Sequence, residues 1–451
     1  MISLLIYRVL LLLSLPLLFI FLLVRSQNNS AYRQRFLERL GYFPTPAKKG
    51  GIVIHGASVG EVIALKSFIE KLLLTYPELP ITVTSFTPTG SIQIKKVFGN
   101  NVQHGYLPLD IFPCTALFLR RLQPKMMIFM ETELWPNLIA QCSQQQVKLL
   151  LINGRLSKKS LRGYLKILPL IKPCLNRFNT ILCQSQENVR HFLQLGADKK
   201  NCINSGNLKF DIHINKQVMA KKEELSRLLF SDSKQAKRTI WLVASTHDGD
   251  ETIALTAFEN LLKDYPELLL VLVPRHPERF EQVANLCIEQ GLSLARRSEK
   301  TQVNKEQVWL LDSLGELMAA FDLSDIVTMG GSFSEIGGHN PLEPALFNKP
   351  IIVGHNMSNF NEIMQQLRQE KAIIELSAKD PSSQLVHEVS TLLQQPTKQK
   401  SLGENALKVV LENQGASERS LAEVKSMLPP SPVNTSAVET SAIKRPKADN
   451  S

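Results

Sequence analysis

Aromatic residues are scarce in this chain: 7% of 451 residues, with only 3 Trp and 7 Tyr. No run interleaves them with basic residues, as nucleic-acid-binding surfaces do, so no nucleic-acid partner is expected. Cysteine is equally thin. Cys114, Cys142, Cys174, Cys183, Cys202 and Cys287 are scattered, with no C-x-x-C pair. That argues against a metal site or a disulfide frame and for buried thiols in a reducing compartment. Acidic residues fall short of basic ones, 41 against 52, leaving a net charge of +11 and a pI near 9.3. Such a balance favours an acidic partner, here anionic lipid or a phosphorylated substrate. No short-period repeat is visible.

What is present begins with an apolar N-terminus. From Val9 to Val24 only Ser14 and Pro16 interrupt it, and Ile2 to Tyr7 extend it past Arg8. This is near the lower limit of ~17–25 residues for a membrane span. Arg25-Ser26-Gln27-Asn28 is no small-residue cleavage site, which weighs against a removed signal peptide. Basic residues follow (Arg25, Arg33, Arg35, Arg39, Lys48, Lys49). The expectation is a membrane anchor over 1–25, or a helix embedded in one leaflet, with the body kept on the cytoplasmic side.

The length suggests two domains. From Gly51 onward, short apolar runs alternate with amphipathic helical segments. Ile52–His55, Ile81–Thr84, Met126–Met130, Leu149–Ile152 and Thr180–Cys183 read as strands. A second series runs through Thr239–Ala244, Leu268–Val273, Val308–Leu311, Ile326–Met329 and Pro350–Val353. Strands separated by helices imply parallel sheets with right-handed crossovers. The expected division is 26–210 and 211–427, two Rossmann-like domains facing across a cleft, with ligands at the C-terminal strand edges. A last helix over about 402–427 is expected to pack back across the junction. The Pro/Ser/Thr-rich stretch 428–451 reads as disordered.

The stretch Gly330 to Ala345 is the most pointed. A strand precedes its glycines. Asn340 suits an N-cap, Pro341 the first helical position and Glu343 the first turn. Strand, glycine loop and helix start together suit a phosphate, although a capped turn without ligand is the plain alternative. Glu61, after Gly56-Ala57-Ser58-Val59-Gly60, stands where a general base is needed, or else complements a helix dipole. Glu131-Thr132-Glu133, beside Trp135, can hold sugar hydroxyls or cap a helix. Arg155 and Lys209 follow strands and suit phosphate or carboxylate, or else are ordinary surface charges. Asp248-Gly249-Asp250 tempts a metal reading, but a helix-capping run explains it better and no further carboxylate spacing supports a cage. His55 reads as structural. Pro274-Arg275-His276 and the turn Gly315-Glu316-Leu317 lie on the same edge as the glycine loop.

Together these loops resemble the 3-deoxy-D-manno-octulosonic acid (Kdo) transferases of lipopolysaccharide assembly. The stretches that match are His55–Glu61, Thr84–Gly90, Tyr106–Asp110, Glu131–Asn137, Asn153–Ser157, Gly206–Asp211, Pro274–Phe280 and Gly330–Ala345. The resemblance covers nearly all of 1–427. It implies an inverting glycosyltransferase of the B-type fold at the inner membrane, needing neither metal nor cofactor. The implied donor is CMP-Kdo and the implied acceptor is the lipid A precursor. Carried over by motif, Glu61 is the implied base, and Glu131 and Lys209 stabilise the transition state. Pro274, Arg275, Gly315, Glu316, Leu317, Asn340, Pro341, Leu342 and Glu343 form the implied CMP site. The competing readings are another sugar-nucleotide enzyme of the same fold acting on a lipid-linked acceptor, and a tethered binding module without chemistry.

Overall fold

Uninterrupted apolar runs with β-branched and sulphur-bearing side chains become strands buried on both faces, as parallel sheets require. The computed structural model describes residues 2–28, 34–44, 47–230 and 238–430. In it the chain forms two units, Met1–Leu208 with Gly415–Ser451, and Lys209–Gln414.

The first unit contains β1 (Ile52–His55), β2 (Ile81–Ser85), β3 (Gln103–Tyr106), β4 (Met126–Met130), β5 (Lys148–Gly154), β6 (Thr180–Cys183) and β7 (Cys202–Asn204). Their order is β3-β2-β1-β4-β5-β6-β7, and every pairing is parallel. The order reverses between β1 and β4. That is the switch point of a doubly wound sheet, where loops diverge and a crevice opens. Apolar clusters cover both faces, one around Ile54, Phe68 and Ile128, the other around Phe129, Leu151 and Phe192.

The second unit contains β8 (Ile240–Thr246), β9 (Leu269–Pro274), β10 (Leu294–Arg296), β11 (Val308–Leu310), β12 (Ile326–Met329), β13 (Ile351–Val353) and β14 (Ile374–Glu375). Their order is β10-β11-β9-β8-β12-β13-β14, again all parallel. Here the reversal falls between β8 and β12. The buried Trp241 of β8 donates its indole N–H to Thr328 Oγ1 of β12 at 2.9 Å, which satisfies the one polar atom of that ring.

Two expectations are corrected. The second unit does not run to 427. The helix Pro396–Asn413 ends before Gly415, which turns the chain at φ 97°. The helix Ala416–Met427 then joins the first unit. Ala416, Leu421 and Val424 enter the cluster around Ile54, Arg419 Nε donates to Ser205 O at 2.7 Å, and Thr180 donates to Glu423 at 2.6 Å. The first boundary lies at Leu208/Lys209. The expected disordered tail lies, from residue 431 on, outside the described residues.

The N-terminal helix forms as Ile2–Asn28, yet among the described residues no helix is long and apolar enough to cross a membrane. Three polar groups of this helix bind the first unit. Ser3 donates to Pro169 O at 2.8 Å, Tyr7 to Asp110 Oδ2 at 2.9 Å, and Arg8 Nε to Asn137 Oδ1 at 2.7 Å. Ile2, Leu5, Ile6, Val9, Leu10, Leu12 and Leu13 remain exposed.

Asp110 is the anchor of that contact. Its buried carboxylate also accepts the N–H groups of Asn137 and Leu138 at 2.9 and 2.8 Å, capping the helix Pro136–Gln144 from outside its own segment. Burial pushes its pKa up to about 6, against the pull of those N–H groups. The folded chain therefore holds this proton more tightly than the unfolded one, and this group's contribution to stability declines as pH rises from 3.8 to about 6. Asp110→Ala, which strands two buried donors, is expected to cost about 1–3 kcal/mol at neutral pH. Urea unfolding followed by circular dichroism measures it; an unchanged midpoint would remove Asp110 as the cap.

Candidate functional site

At the first switch point the loop after β1 carries Ser58-Val59-Gly60-Glu61. Ser58 caps the helix Val59–Ala64 by accepting the Glu61 N–H, and its hydroxyl donates to Glu61 Oε1 at 2.8 Å. Ala57 N donates to the other oxygen at 2.9 Å. This is close to a capping box, with the carboxylate taking the N–H one residue ahead of the cap. The same carboxylate is only half-buried, and its pKa is displaced. Burial raises it; Ser58 and Ala57 pull it down; the charges of Glu131 and Glu133 push it up again, and the upward direction wins.

The loop after β4 thus places two further carboxylates within electrostatic reach of Glu61. Glu131 sits at φ 55°, in the left-handed region that non-glycine residues rarely adopt. Its N–H donates to Ile152 O at 3.0 Å, which helps to hold the loop. Glu133 accepts the Trp135 indole N–H at 2.9 Å and lies 3.6 Å from His55 Nε2. Burial presses its pKa upward, but the contacts from His55 and Trp135 outweigh it and hold Glu133 below the usual carboxylate range. His55 is fully buried, with Nδ1 at 3.0 Å from Thr84 Oγ1, the structural role expected of it. Trp135 stands 5.4 Å from Phe86, centroid to centroid. This aromatic wall was invisible in sequence order.

Asn153, also at φ 55°, accepts the Leu208 N–H on its Oδ1 at 2.9 Å. It thereby fixes the chain just ahead of Lys209. Lys209 itself opens the second unit, its ammonium 5.8 Å from the Phe360 ring centroid. Glu61 and Glu131 come together within one unit; Lys209 belongs to the other.

In the second unit the loops after β8, β9 and β12 converge. Arg275 follows Pro274, the last residue of β9, and donates its N–H to Thr246 O at 3.0 Å. The expected helix after the glycine loop is only Leu342–Leu346, one residue later than expected, with Pro341 as its cap residue. Asn340 Oδ1 still accepts the Leu342 N–H, at 3.2 Å. Burial lifts the pKa of Glu343, while Asn340 and the Arg275 charge pull it down. Arg275 and Glu343 are therefore within electrostatic reach of one another. Gly315 sits at φ 79° and its carbonyl accepts from Lys221 Nζ at 2.9 Å. Glu316 is different: its buried carboxylate is gripped by Arg297 at 3.1 and 3.0 Å and by Ser313. It shapes the turn into the helix that Leu317 begins.

The Asp-x-Asp pair is committed elsewhere. Asp248 meets Arg279 at 3.2 Å. Asp250 Oδ2 accepts the N–H groups of Gly331 and His247 at 2.6 and 2.8 Å. Among the described residues no group of three or more His, Cys, Asp or Glu side chains is disposed to hold a metal ion.

The family model described as 3-deoxy-D-manno-octulosonic-acid transferase matches residues 34–212. A 3-deoxy-D-manno-octulosonic acid transferase of Haemophilus influenzae is 40% identical over 428 residues, 94% of this chain and 98% of that one. The chain belongs to the Kdo transferase family. It is a glycosyltransferase. A second Kdo transferase, from Rickettsia felis, is 34% identical over 84% of this chain and 79% of its own. Among solved structures, a UDP-GlcNAc 2-epimerase from Neisseria meningitidis (14% identical, TM-score 0.54, covering 84% of this chain and 100% of that one) shares the fold. So does a glycosyltransferase from Rickettsia africae (13% identical, TM-score 0.53, 85% and 100%). At such identities the likeness extends to the glycosyltransferase B-type fold alone. The Kdo transferase fold thus carries a carboxylate group at one switch point and a basic edge at the other.

Asp250→Ala strands the Gly331 and His247 N–H groups, and a loss of about 1–3 kcal/mol is expected, with faster amide exchange at both positions. Magnesium is expected to leave the wild-type melting midpoint unmoved. A magnesium-dependent rise that Asp250→Ala abolishes would restore the metal role.

Proposed function

We propose that this Kdo transferase moves Kdo from CMP-Kdo to the lipid A precursor, lipid IVA, with inversion and without a metal. The observation that carries this reading is Glu61, a half-buried carboxylate raised in pKa beside two others at the switch point of the first unit. A base must be ionised yet eager for a proton, and an upward shift serves the second need. Glu61 takes the proton of an acceptor hydroxyl as its oxygen attacks the anomeric carbon of Kdo. Glu131 and Lys209 stabilise the charge that develops there. The second unit holds the nucleotide through Pro274, Arg275, the Gly315-Glu316-Leu317 turn and Asn340 to Glu343. Backbone donors and cations meet the phosphate, in the manner of an electrostatically prepared site.

The helix Ile2–Asn28 supports a place on the cytoplasmic face of the inner membrane. Its polar side chains bind the first unit while Leu10 and Leu13 stand 60% and 71% exposed. A helix tethered on one side and apolar on the other lies in a bilayer interface instead of crossing it. The net charge of +11 adds attraction to anionic headgroups.

Glu61→Gln is expected to lower turnover by about 10²–10⁴ while calorimetry still registers CMP and not UDP. Because the Glu61 pKa is raised, its base form is lost as pH falls through a value above the ordinary ~4.3, so the acid limb of kcat/KM lies high. Glu131→Gln removes one repelling charge and is expected to move that limb to lower pH, whatever it does to the maximum rate. A limb that stays in place would take Glu61 out of the base role. Mass spectrometry of lipid IVA incubated with CMP-Kdo reads the product. For the helix, Leu10→Glu with Leu13→Glu is expected to weaken partition onto anionic vesicles at least roughly tenfold, since each buried leucine contributes about 1.5–3 kcal/mol. Retained partition would assign membrane contact to another surface.

A further inference from the structure

Two imidazoles meet at the second switch point. His247 follows β8 and His339 precedes Asn340 in the loop after β12, and their Nε2 atoms are 2.8 Å apart. The rings are nearly parallel, at 7°, with centroids 5.1 Å apart. Such a contact needs one proton between two nitrogens, one donating and one accepting. The surrounding backbone is built to make it. Asp250 Oδ2 binds the N–H of His247 and that of Gly331. Gly331, at φ 66°, lets the loop fold so closely that a Cβ there would fall 3.1 Å from the His339 ring.

The surroundings are one-sided in charge. Arg275 and Arg279 follow β9, and the His276 ring lies 5.2 Å from that of His247. The carboxylates nearby are directed elsewhere. Asp248 and Glu251 bind Arg279, Glu278 lies 3.9 Å from His276, Glu343 faces Arg275, and Asp250 Oδ2 serves backbone. Among the described residues none is ion-paired with His247 or His339. Burial, and then the charge of Arg275, hold His339 down to about 3. Burial and the charges of His276, Arg275 and Arg279 lower His247 as well. Burial and the positive neighbours together keep the pair neutral, and an anion seated among those neighbours would offset their charge.

The geometry points to a further catalytic role: the His247–His339 pair takes up a proton when a nucleotide phosphate seats beside Arg275, and the nucleotide then leaves against an imidazolium. This rests on the reading of the second unit as the donor unit. The chemistry balances. The bond from the anomeric carbon to the phosphate oxygen breaks and its electron pair stays on that oxygen. A phosphodiester with one charge becomes a monoester whose second ionisation lies near ~6, so the leaving group gains negative charge. The acceptor's proton goes to Glu61. The proton on the imidazoles comes from solvent at binding, hydrogen-bonds the departing phosphate, and returns to solvent when the nucleotide dissociates. A charge-assisted hydrogen bond of this kind is about twice as strong as a neutral one.

The test is calorimetry of CMP binding to the full chain at pH 7.5, in two buffers of different ionisation enthalpy. Wild type is expected to take up as much as about one proton per CMP bound, as linkage requires when binding raises a pKa across the working pH. His339→Gln and His247→Asn are each expected to bind CMP with that uptake reduced by roughly half or more, their difference from wild type cancelling the nucleotide's own titration. Equal uptake in wild type and both variants would overturn the role of the pair alone. No binding of CMP by wild type would overturn the donor reading, and the pair's role with it.

Discussion

One carboxylate oxygen sets the working edge of the second unit. Asp250 Oδ2 receives N–H groups from His247 and from Gly331, 81 residues further along the chain. Parallel strands offer no hairpin to align the loops at their ends, because each strand returns through a helix. The loops after β8 and β12 must therefore be joined by side chains. Burying a carboxylate is costly unless donors compensate, and the upward displacement of Asp250 to about 6 shows how heavily burial weighs on it. Two backbone donors on one oxygen meet much of that cost, and the edge is held as a consequence. In the first unit Asn153 plays the corresponding part. Its side chain accepts the Leu208 N–H and its carbonyl accepts from Gln184 at 3.1 Å.

The fold was legible because parallel strands are apolar without alternation. Ile-Val-Ile-His, Met-Met-Ile-Phe-Met and Ile-Trp-Leu-Val-Ala are buried throughout, and no helical period of that length imitates them. The order of the strands, and with it both switch points, came only with their pairing, and four short strands (β3, β7, β10, β14) gave no such run. The end of the second unit was not legible. Residues 402–427 carry one continuous helical period, and only Gly415, at φ 97°, divides them between units. The seating of the N-terminal helix was not legible for a related reason. Apolar content was plain in the sequence, but the partners of Tyr7 and Arg8 are Asp110 and Asn137, more than a hundred positions away.

The sites were legible to different depths. Loops at strand ends announce themselves by glycine, proline and charge, and Arg275, Glu343, Glu61 and Glu131 were singled out in that way. The use made of each side chain was not. Glu316 looks, in sequence, like any acidic residue at a helix start. Its carboxylate is in fact closed off by Arg297. His247 and His339 gave no signal beyond being histidines beside glycines, since a hydrogen bond between two imidazoles needs both strands in place before it exists.

The carboxylates of the first unit show how environment divides labour among like groups. Glu61 and Glu133 both lie at the β1/β4 switch point and both are substantially desolvated. Glu133 has a buried imidazole at 3.6 Å and an indole donor at 2.9 Å, and it stays ionised. Glu61 has a hydroxyl and one backbone N–H, and two carboxylates repel its charge. Neutral donors with like charge nearby leave the proton affinity high, whereas the His55 and Trp135 contacts lower it. Paired groups driven apart in this way mark acid–base work, because the raised member holds a proton more tightly while the lowered one keeps its charge. The same contrast explains why the capping contact does not disqualify Glu61. A cap requires the ionised carboxylate only as an acceptor, and the protonated form can still accept on one oxygen. The residue that starts the helix can therefore cycle through protonation without unwinding it.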